Sequence, residues 1–363
     1  MRSVELFSGC GGLALGLARA GFRHELMIEW NTCAVATVVH NRDRHVEHVA
    51  DWPIERRDVR SVNWREYRGV ELVAGGPPCQ PFSIGGKHRG DDDARDMWPQ
   101  AIRAVREIAP AAFLFENVRG LLRPKFQPYL HAIVAGLSRP ARELGYITLV
   151  QQVNAADYGA PQKRHRVIIA GVREGAAPFH RLEPTHSRER LLWEQWVSGE
   201  YWCRHGIKKD LDSFPDRDEP LVRKLRKLKE PPVLKAWITV REALTDLGTP
   251  TARNNHVFQP GARVYKGHTG SPLDEPAKAL KAGDHGVPGG ENMMVKDDGR
   301  VRYFTVREAA RLQGLPDDYQ FPRSWSESMR QLGNAVPVQL AETVGDWVVG
   351  NLARNSAFSA AAA

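Results

Sequence analysis

Residues 70–74 form a short apolar run that is stopped at once by Gly75-Gly76-Pro77-Pro78-Cys79-Gln80-Pro81-Phe82-Ser83. Such a run bounded by turn residues reads as a buried strand, and the glycines and prolines fix the backbone where Cys79 emerges. A cysteine on a rigid loop at the carboxyl end of a strand sits where α/β sheets place their chemistry, and its thiolate is a nucleophile. Glu116-Asn117-Val118 follows a second apolar run, 112–115, so Glu116 can face the same crevice. A thiolate beside a carboxyl suits attack on a carbon whose electron density drains to a neighbouring heteroatom, with the acid supplying a proton there. Gln162-Lys163-Arg164-His165-Arg166 leads into another strand-like run. Alternation places Arg164 and Arg166 on one face, where they can clamp a carboxylate and a carbonyl oxygen. Each group also has a plain structural alternative: a buried turn cysteine, a salt-bridged strand-end acid, a basic edge strand.

A second constellation lies near the start of the chain. Phe7-Ser8-Gly9-Cys10-Gly11-Gly12 falls between a predicted strand and a predicted helix. Its glycines permit close backbone approach to a ligand, and the helix N-terminus offers free N–H groups. The spacing is not GxGxxG. Glu29 follows about twenty residues on, where nucleotide folds place an acid on ribose hydroxyls. Trp30 can stack on a purine, and Asp58, beside Val59, can accept from an exocyclic amine. The set points to an adenosine-bearing ligand that needs no pyrophosphate, and S-adenosylmethionine fits better than NAD. An ordinary loop acid or surface aromatic is the competing reading of each.

These residues need a scaffold that brings strand ends together. The pattern predicts strands over 4–7, 25–28, 71–74, 112–115, 147–153 and 166–170, with helices over 13–20, 33–40, 101–108 and 131–144, the last interrupted at Pro140. Strand–helix alternation of this kind predicts a mostly parallel sheet with helices on both faces. The rhythm is lost after 172. Residues 173–300 carry Trp193, Trp196, Trp202 and Trp237, a basic segment from Arg223 to Lys229 and a Gly-rich run over 283–290. Helices return over 305–313 and 338–352. The chain has 363 residues, 42% hydrophobic and 26% charged, and no apolar run long enough to span a membrane. The beginning of the chain has no signal-peptide pattern, and four scattered cysteines without CxxC spacing argue against a disulfide framework or a zinc site, so a reducing bacterial cytoplasm is expected. A net charge of +8 and a pI near 9.4 favour a polyanionic partner.

Taken in order, these motifs closely resemble the DNA cytosine-5 methyltransferases. The resemblance spans nearly the whole chain and adds Arg307-Glu308-Ala309-Ala310-Arg311-Leu312-Gln313-Gly314-Leu315-Pro316-Asp317 and Gly333-Asn334-Ala335-Val336-Pro337. It departs from the pattern at Glu5, where many members have aspartate, at Gly85, and around Trp98. What it implies is an α/β fold of the Rossmann-like, S-adenosylmethionine-dependent methyltransferase kind: a mixed, mostly parallel sheet with helices on both faces plus a smaller target-recognition domain. The implied division is 1–172 for catalysis and cofactor, 173–328 for target recognition, 329–354 returning to the catalytic domain, and 355–363 as a frayed tail. Cys79 would add to C6 of cytosine, Glu116 would bond N3, Arg166 would hold O2, and Arg164 would position Glu116. Phe7, Ser8, Gly9, Cys10, Gly11, Gly12, Glu29, Trp30, Asp58, Val59, Pro78, Trp98, Asn334, Ala335 and Val336 would line the cofactor. Gln80, Ser83, Lys87, Arg89, Asn117, Val118, Arg253, Arg263 and Lys281 would meet DNA. The loop 85–90 would close over a flipped base.

The expected activity is therefore methyl transfer from S-adenosyl-L-methionine, yielding S-adenosyl-L-homocysteine, to cytosine C5 in a short duplex sequence, with no metal. The expected partner is double-stranded DNA, in either a bacterial restriction-modification system, with a cognate restriction endonuclease acting separately, or an orphan methylase, and the chain is expected to be a monomer without a membrane segment. A transfer-RNA cytosine-5 methyltransferase of the same fold shares all these catalytic residues, although the long insert over 173–300 favours a DNA reader. A catalytically inactive DNA-binding homologue and a nicotinamide dehydrogenase are the remaining alternatives. Intact Cys79, Glu116, Arg164 and Arg166 speak against the first, and the missing GxGxxG against the second.

Overall fold

The computed structural model describes residues 1–78, 96–264, 269–282 and 292–361, with side chains described through Arg354. The strands are β1 (Arg2–Leu6), β2 (Arg23–Glu29), β3 (Ile54–Arg56), β4 (Leu72–Gly75), β5 (Ala112–Val118), β6 (Tyr146–Asn154), the two-residue β7 (Gln162–Lys163) and β8 (His165–Arg173). Seven of them build one sheet in the order β3-β2-β1-β4-β5-β8-β6. All pairings are parallel except those of β8, which runs antiparallel to both β5 and β6. The chain winds outward from β1 to β3, then restarts at β4 on the other side of β1. That reversal makes a crevice at the carboxyl ends of β1 and β4, where open α/β sheets bind ligands.

Helices α1 (Gly12–Arg19), α2 (Thr32–Asp43), α3 (Trp98–Ile108) and α4 (Gln127–Ser138) fill the crossovers. Helix α4 begins at Gln127 and stops at Ser138, short of the expected 131–144. Pro140 lacks an N–H and restrains the residue before it from helical geometry. Further along lie α5 (Arg188–Trp196), α6 (Glu200–Arg204), α7 (Glu219–Leu225), α8 (Val240–Leu244), α9 (Val306–Leu312), α10 (Trp325–Asn334) and α11 (Val338–Ala361). The sheet is covered on both faces. Val73, Phe113, Phe115 and Ile169 pack with Ala101, Val105, Ile133 and Leu137 of α3 and α4. Leu72, Ala74, Leu114 and Ala170 pack with Leu13 and Leu17 of α1 and with Leu340, Val344 and Val348 of α11. Gly16 lets α1 and α11 touch: a Cβ there would lie 2.3 Å from that of Ala341.

Trp196 and Trp202 are buried with Leu191, Leu192, Tyr201, Val222 and Leu225 in a compact core of their own, made by α5, α6 and α7. The stretch from 240 to 338 behaves differently. Val240, Ala277, Phe304, Ala310 and Leu332 share one cluster with Cys10, Leu15, Met27, Val38 and Trp52 from the amino-terminal half. That continuity brings late residues of the chain against the loop after β1.

Candidate active site

The loop after β1 is held open by backbone geometry. Phe7, Gly9 and Gly11 all have positive φ, at 58°, 57° and 83°. Phe7 pays for a left-handed conformation that its side chain disfavours, the kind of local strain that persists only when its surroundings impose it. Ser8 N–H donates to Ile28 O at 3.1 Å and Gly11 N–H to Ser8 O at 2.9 Å, which ties the loop to the end of β2. Gly12 is required for closure: a Cβ there would come within 2.4 Å of Val336 O and 3.3 Å of Ala335 Cβ. Ala335 and Val336 are therefore brought onto the loop, with Asn334 exposed beside them. The Cys10 side chain lies in the core. It is buried among Ala14, Trp52 and Tyr319, its carbonyl accepts from Tyr319 OH at 2.7 Å, and burial pushes its thiol up to about 12.

Glu29 ends β2, and its carboxylate accepts Gly9 N–H at 2.8 Å and Asn31 N–H at 2.7 Å. The two oxygens keep further lone pairs for a hydroxyl donor. Beside it Trp30 is 66% exposed, the most open aromatic ring of the crevice edge, and the space above Gly9 is empty. Asp58 is a quarter exposed, and its carboxylate takes Nε and Nη2 of Arg60 at 2.9 and 2.7 Å and the Arg60 N–H at 2.9 Å, capping the short helix Val59–Ser61. That bonding, led by the Arg60 side chain, holds its pKa below the usual value. Trp98 does not line an open site. It is 1% exposed and packs edge-on against Phe115 at 5.7 Å, because it starts amphipathic α3 on the core side.

At the end of β4 the backbone passes very close to β1, since a Cβ on Gly75 would meet Leu6 O at 2.4 Å. The loop then runs through Gly76, Pro77 and exposed Pro78, while Cys79, Gln80, Ser83, Lys87 and Arg89 lie outside the described residues. Two side chains of β5 receive the visible part of this loop. Glu116 places Oε2 3.5 Å from where a Gly76 Cβ would be. Buried Asn117 donates from Nδ2 to Pro77 O at 3.1 Å and accepts Val118 N–H at 2.9 Å. Asn117 thus holds the Pro77 carbonyl at the start of this loop, a bond its type and place did not announce. Val118, half-buried, closes the strand.

The antiparallel register pairs Val118 with Arg166 and Glu116 with Ile168, so Glu116 and Arg166 project from one face on adjacent strands. They form an ion pair through Arg166 Nε and Glu116 Oε1, both about a tenth exposed. Arg166 Nη1 also donates to His165 O at 2.8 Å. Arg164 does something else. The strand starts only at His165, and Arg164, 1% exposed, donates Nη1 to Leu280 O at 2.9 Å and Nη2 to Gly333 O at 2.7 Å. The two arginines do not clamp a common group, and the bonds of Arg164 do not run to Glu116. Burial lowers the Arg164 pKa, the charge of Arg166 adds to this, and Glu116 opposes it.

Arg164, expected to position Glu116, is instead one of several buried polar clasps that join distant segments. Gln162 Nε2 donates to Leu312 O at 2.7 Å and Gln313 Oε1 at 3.0 Å. Arg307 donates to Asn254 O at 3.0 Å, Pro316 O at 2.9 Å and Tyr319 O at 2.6 Å. Lys281 is gripped through its backbone by Asn292, at 3.0 and 2.9 Å. Arg253 and Arg263 are exposed. Among the described residues no cluster of His, Cys, Asp and Glu could hold a metal ion, and no helix is long and apolar enough to cross a membrane.

The structure thus gathers at the carboxyl ends of its central strands an acid–guanidinium pair on neighbouring strands, the start of a Gly–Pro loop bonded to the same strand, and an acid beside an exposed tryptophan at the end of β2. Residues 1–349 match the model of the C-5 cytosine-specific DNA methylase family, and the chain belongs to that family. It is 33% identical over 365 residues to the Type II methyltransferase M.NgoMIV of Neisseria gonorrhoeae, covering 98% of this chain and 99% of that one. It is 33% identical to M.Eco47II of Escherichia coli, covering 95% and 78%. Among solved structures, a prophage-encoded DNA modification methyltransferase of E. coli superposes with a TM-score of 0.62 at 22% identity, over 97% and 99% of the two chains. Dnmt2 of S. pombe superposes at 0.60 and 17%, over 97% and 99%, a likeness of fold. The protein is an enzyme, a C-5 cytosine DNA methyltransferase of the type II restriction-modification kind.

Proposed function

We propose that the chain methylates C5 of a flipped-out cytosine in a specific short duplex sequence, with S-adenosyl-L-methionine as donor and Cys79 forming a transient bond to C6. The observation that carries this is the Glu116–Arg166 pair set against the Gly76–Pro77 turn that Asn117 tethers. C5 of cytosine is a weak nucleophile. A thiolate adding to C6 converts the ring to an enamine, provided that charge arriving at N3 is met by a proton donor and O2 by a cation. Glu116 is the group for N3. Arg166, already locked to Glu116, is the group for O2. After methylation the C5 proton leaves to a base and the C6–sulfur bond breaks, regenerating the thiolate. The target atom is out of reach inside a duplex, so the nucleotide must leave the stack.

The residues present fit the donor. Glu29 takes one N–H from the loop after β1, at Gly9, and one from its own turn, at Asn31, and keeps acceptor capacity for ribose hydroxyls, exposed Trp30 offers a stacking face, and the bare side of Gly9 leaves room for the ligand. When bound, S-adenosylmethionine supplies the electrophilic methyl group. Residues 173–328 are assigned to target recognition, with Arg253, Arg263 and Lys281 as candidate contacts, and a cognate endonuclease of the same specificity is the expected biological counterpart. The decisive experiment is covalent trapping on a duplex whose target cytosine carries fluorine at C5, which blocks loss of the C5 substituent. The wild type forms a denaturation-resistant adduct and Cys79→Ser does not. An adduct with the serine variant, or methyl transfer by it at the wild-type rate, overturns the assignment.

A further inference from the structure

Large apolar side chains that stay exposed on a folded protein ask for an explanation when they cluster. Among the described residues three fall within eight positions: Val257, Phe258 and Val264, at 52%, 55% and 57% exposure. The same segment carries exposed Arg253 and Arg263, and no carboxylate pairs with either among the described residues.

The base of this segment is not loose. Asn255 exchanges two hydrogen bonds with the Phe321 backbone, at 3.1 and 2.8 Å. Arg307 N–H donates to Asn255 O at 3.1 Å. The ring of His256 is buried, with Nδ1 2.9 Å from Thr305 Oγ1 at the start of α9. Phe258 itself is held although it is exposed. Its ring lies 5.7 Å from the His256 ring, edge to face, and 4.9 Å from the guanidinium of Arg302. Arg302 is fixed in turn by Glu308, which accepts its two terminal nitrogens at 2.7 and 2.5 Å. Glu308 also closes the capping box of α9 with Thr305. An aromatic ring is thus held out toward solvent on a rigid cationic support, with further cations on either side.

We infer that Phe258 is a specificity-determining residue, which packs on the C5 edge of one pyrimidine in the major groove of the recognised duplex, and that Arg302 positions it. This rests on the DNA-methyltransferase reading above. The flanking arginines supply charge complementarity to the phosphates, and a ring that offers no hydrogen bond can read only the apolar edge of a base. Pre-ordering the ring removes the entropy of fixing it on binding.

The test is deep sequencing of cytosine methylation on a library holding every single-base variant of the recognised site, with the full chain as wild type, Phe258→Ala, Arg302→Ala, Arg302→Lys and Phe258→Ala/Arg302→Ala. Phe258→Ala is expected to lose about tenfold discrimination at one pyrimidine position, with the other positions, the cofactor affinity and the melting temperature unchanged. Adding or deleting the 5-methyl group of that pyrimidine should alter the wild-type rate and not that of Phe258→Ala. Arg302→Ala should reproduce part of the loss and add nothing to Phe258→Ala, and Arg302→Lys, which keeps the cation but not the paired nitrogens that Glu308 holds, should restore only part of it. A Phe258→Ala profile identical to wild type refutes the inference. A loss spread evenly over all positions refutes it too. No methylation by the wild type would instead refute the activity on which it rests.

Discussion

Glu116→Gln separates the chemical role of the acid from its structural one. Glu116 and Arg166 are paired with about a tenth of each side chain exposed. Removing one partner of a nearly buried pair leaves a charge without compensation, which costs about 3 kcal/mol at the low end of the range for such pairs. The chemical cost is separate. An amide cannot deliver a proton to N3, and loss of a positioned general acid lowers a rate by about 10²–10⁴-fold. Glu116→Gln/Arg166→Gln should therefore recover most of the stability, since no lone charge remains, and none of the rate. The measurements are single-turnover transfer of labelled methyl at saturating DNA and donor, and urea unfolding of the same preparations. The donor affinity should not move, because Glu116 faces the β4–β5 side of the crevice and Glu29 the β1–β2 side. Retention of more than about a tenth of the wild-type rate by Glu116→Gln would refute the proton-donor role. Failure of the double variant to regain stability would refute the pairing argument.

Glu29→Ala should weaken S-adenosylmethionine binding by about 1–3 kcal/mol, the cost of hydroxyls left without an acceptor, while DNA affinity by fluorescence anisotropy stays within twofold; equal losses would place the ribose elsewhere. His24 is buried, bonded to Ser3 Oγ at 2.9 Å and Ala14 O at 3.0 Å, and burial lowers its pKa from 6.5 to about 4. The unfolded chain takes up that proton first, so this contribution is whole above pH 6.5 and fades as pH falls toward 4, by about 3 kcal/mol in all. Urea titrations of His24→Gln across that range should show a correspondingly smaller acid loss, and an unchanged slope would contradict it. Glu5 is fully buried on β1, and burial, with the charge of Glu29 adding to it, raises its pKa well above the usual carboxyl value. The fold holds this proton at pH values where the unfolded chain releases it, so stability is lost as pH rises above 4.5. Glu5→Gln should melt increasingly higher than wild type as pH rises in scanning calorimetry, and a constant gap would mean that Glu5 does not titrate differently in the two states.

The catalytic half of the fold is legible because its signals are local. An apolar run stopped by glycine and proline marks a strand end, and in an open α/β sheet strand ends are where ligands bind. On this ground Glu29 and Glu116 are expected at strand ends: Glu29 is the last residue of β2, while Glu116 lies two residues before the end of β5, a strand that runs on to Val118. The strand order, with β8 reversed between β5 and β6, is not legible in this way, since periodicity carries no direction. The burial of one expected site residue has the same origin. Trp98 has the type of a stacking residue, yet the apolar stripe of α3 carries it into the core.

What sequence pattern misses altogether is the set of bonds that join distant segments. Gln162 to Leu312, Arg164 to Gly333, and Gly12 against Val336 each link residues at least 150 positions apart. Two of these make one physical arrangement. Arg164 stands immediately before the strand that carries Arg166, and it grips the last turn of α10, from which Asn334, Ala335 and Val336 proceed to the loop after β1. Its other hydrogen bond holds Leu280, next to Lys281. One buried guanidinium therefore ties the strand of the Glu116–Arg166 pair, the segment that closes on the loop after β1, and Leu280 beside Lys281. A lysine has a single nitrogen and cannot reproduce a fork to two carbonyls on separate segments. The residue type at 164 is thus explained by geometry that lies far from it in sequence, and its contribution to activity runs through the positions of other groups.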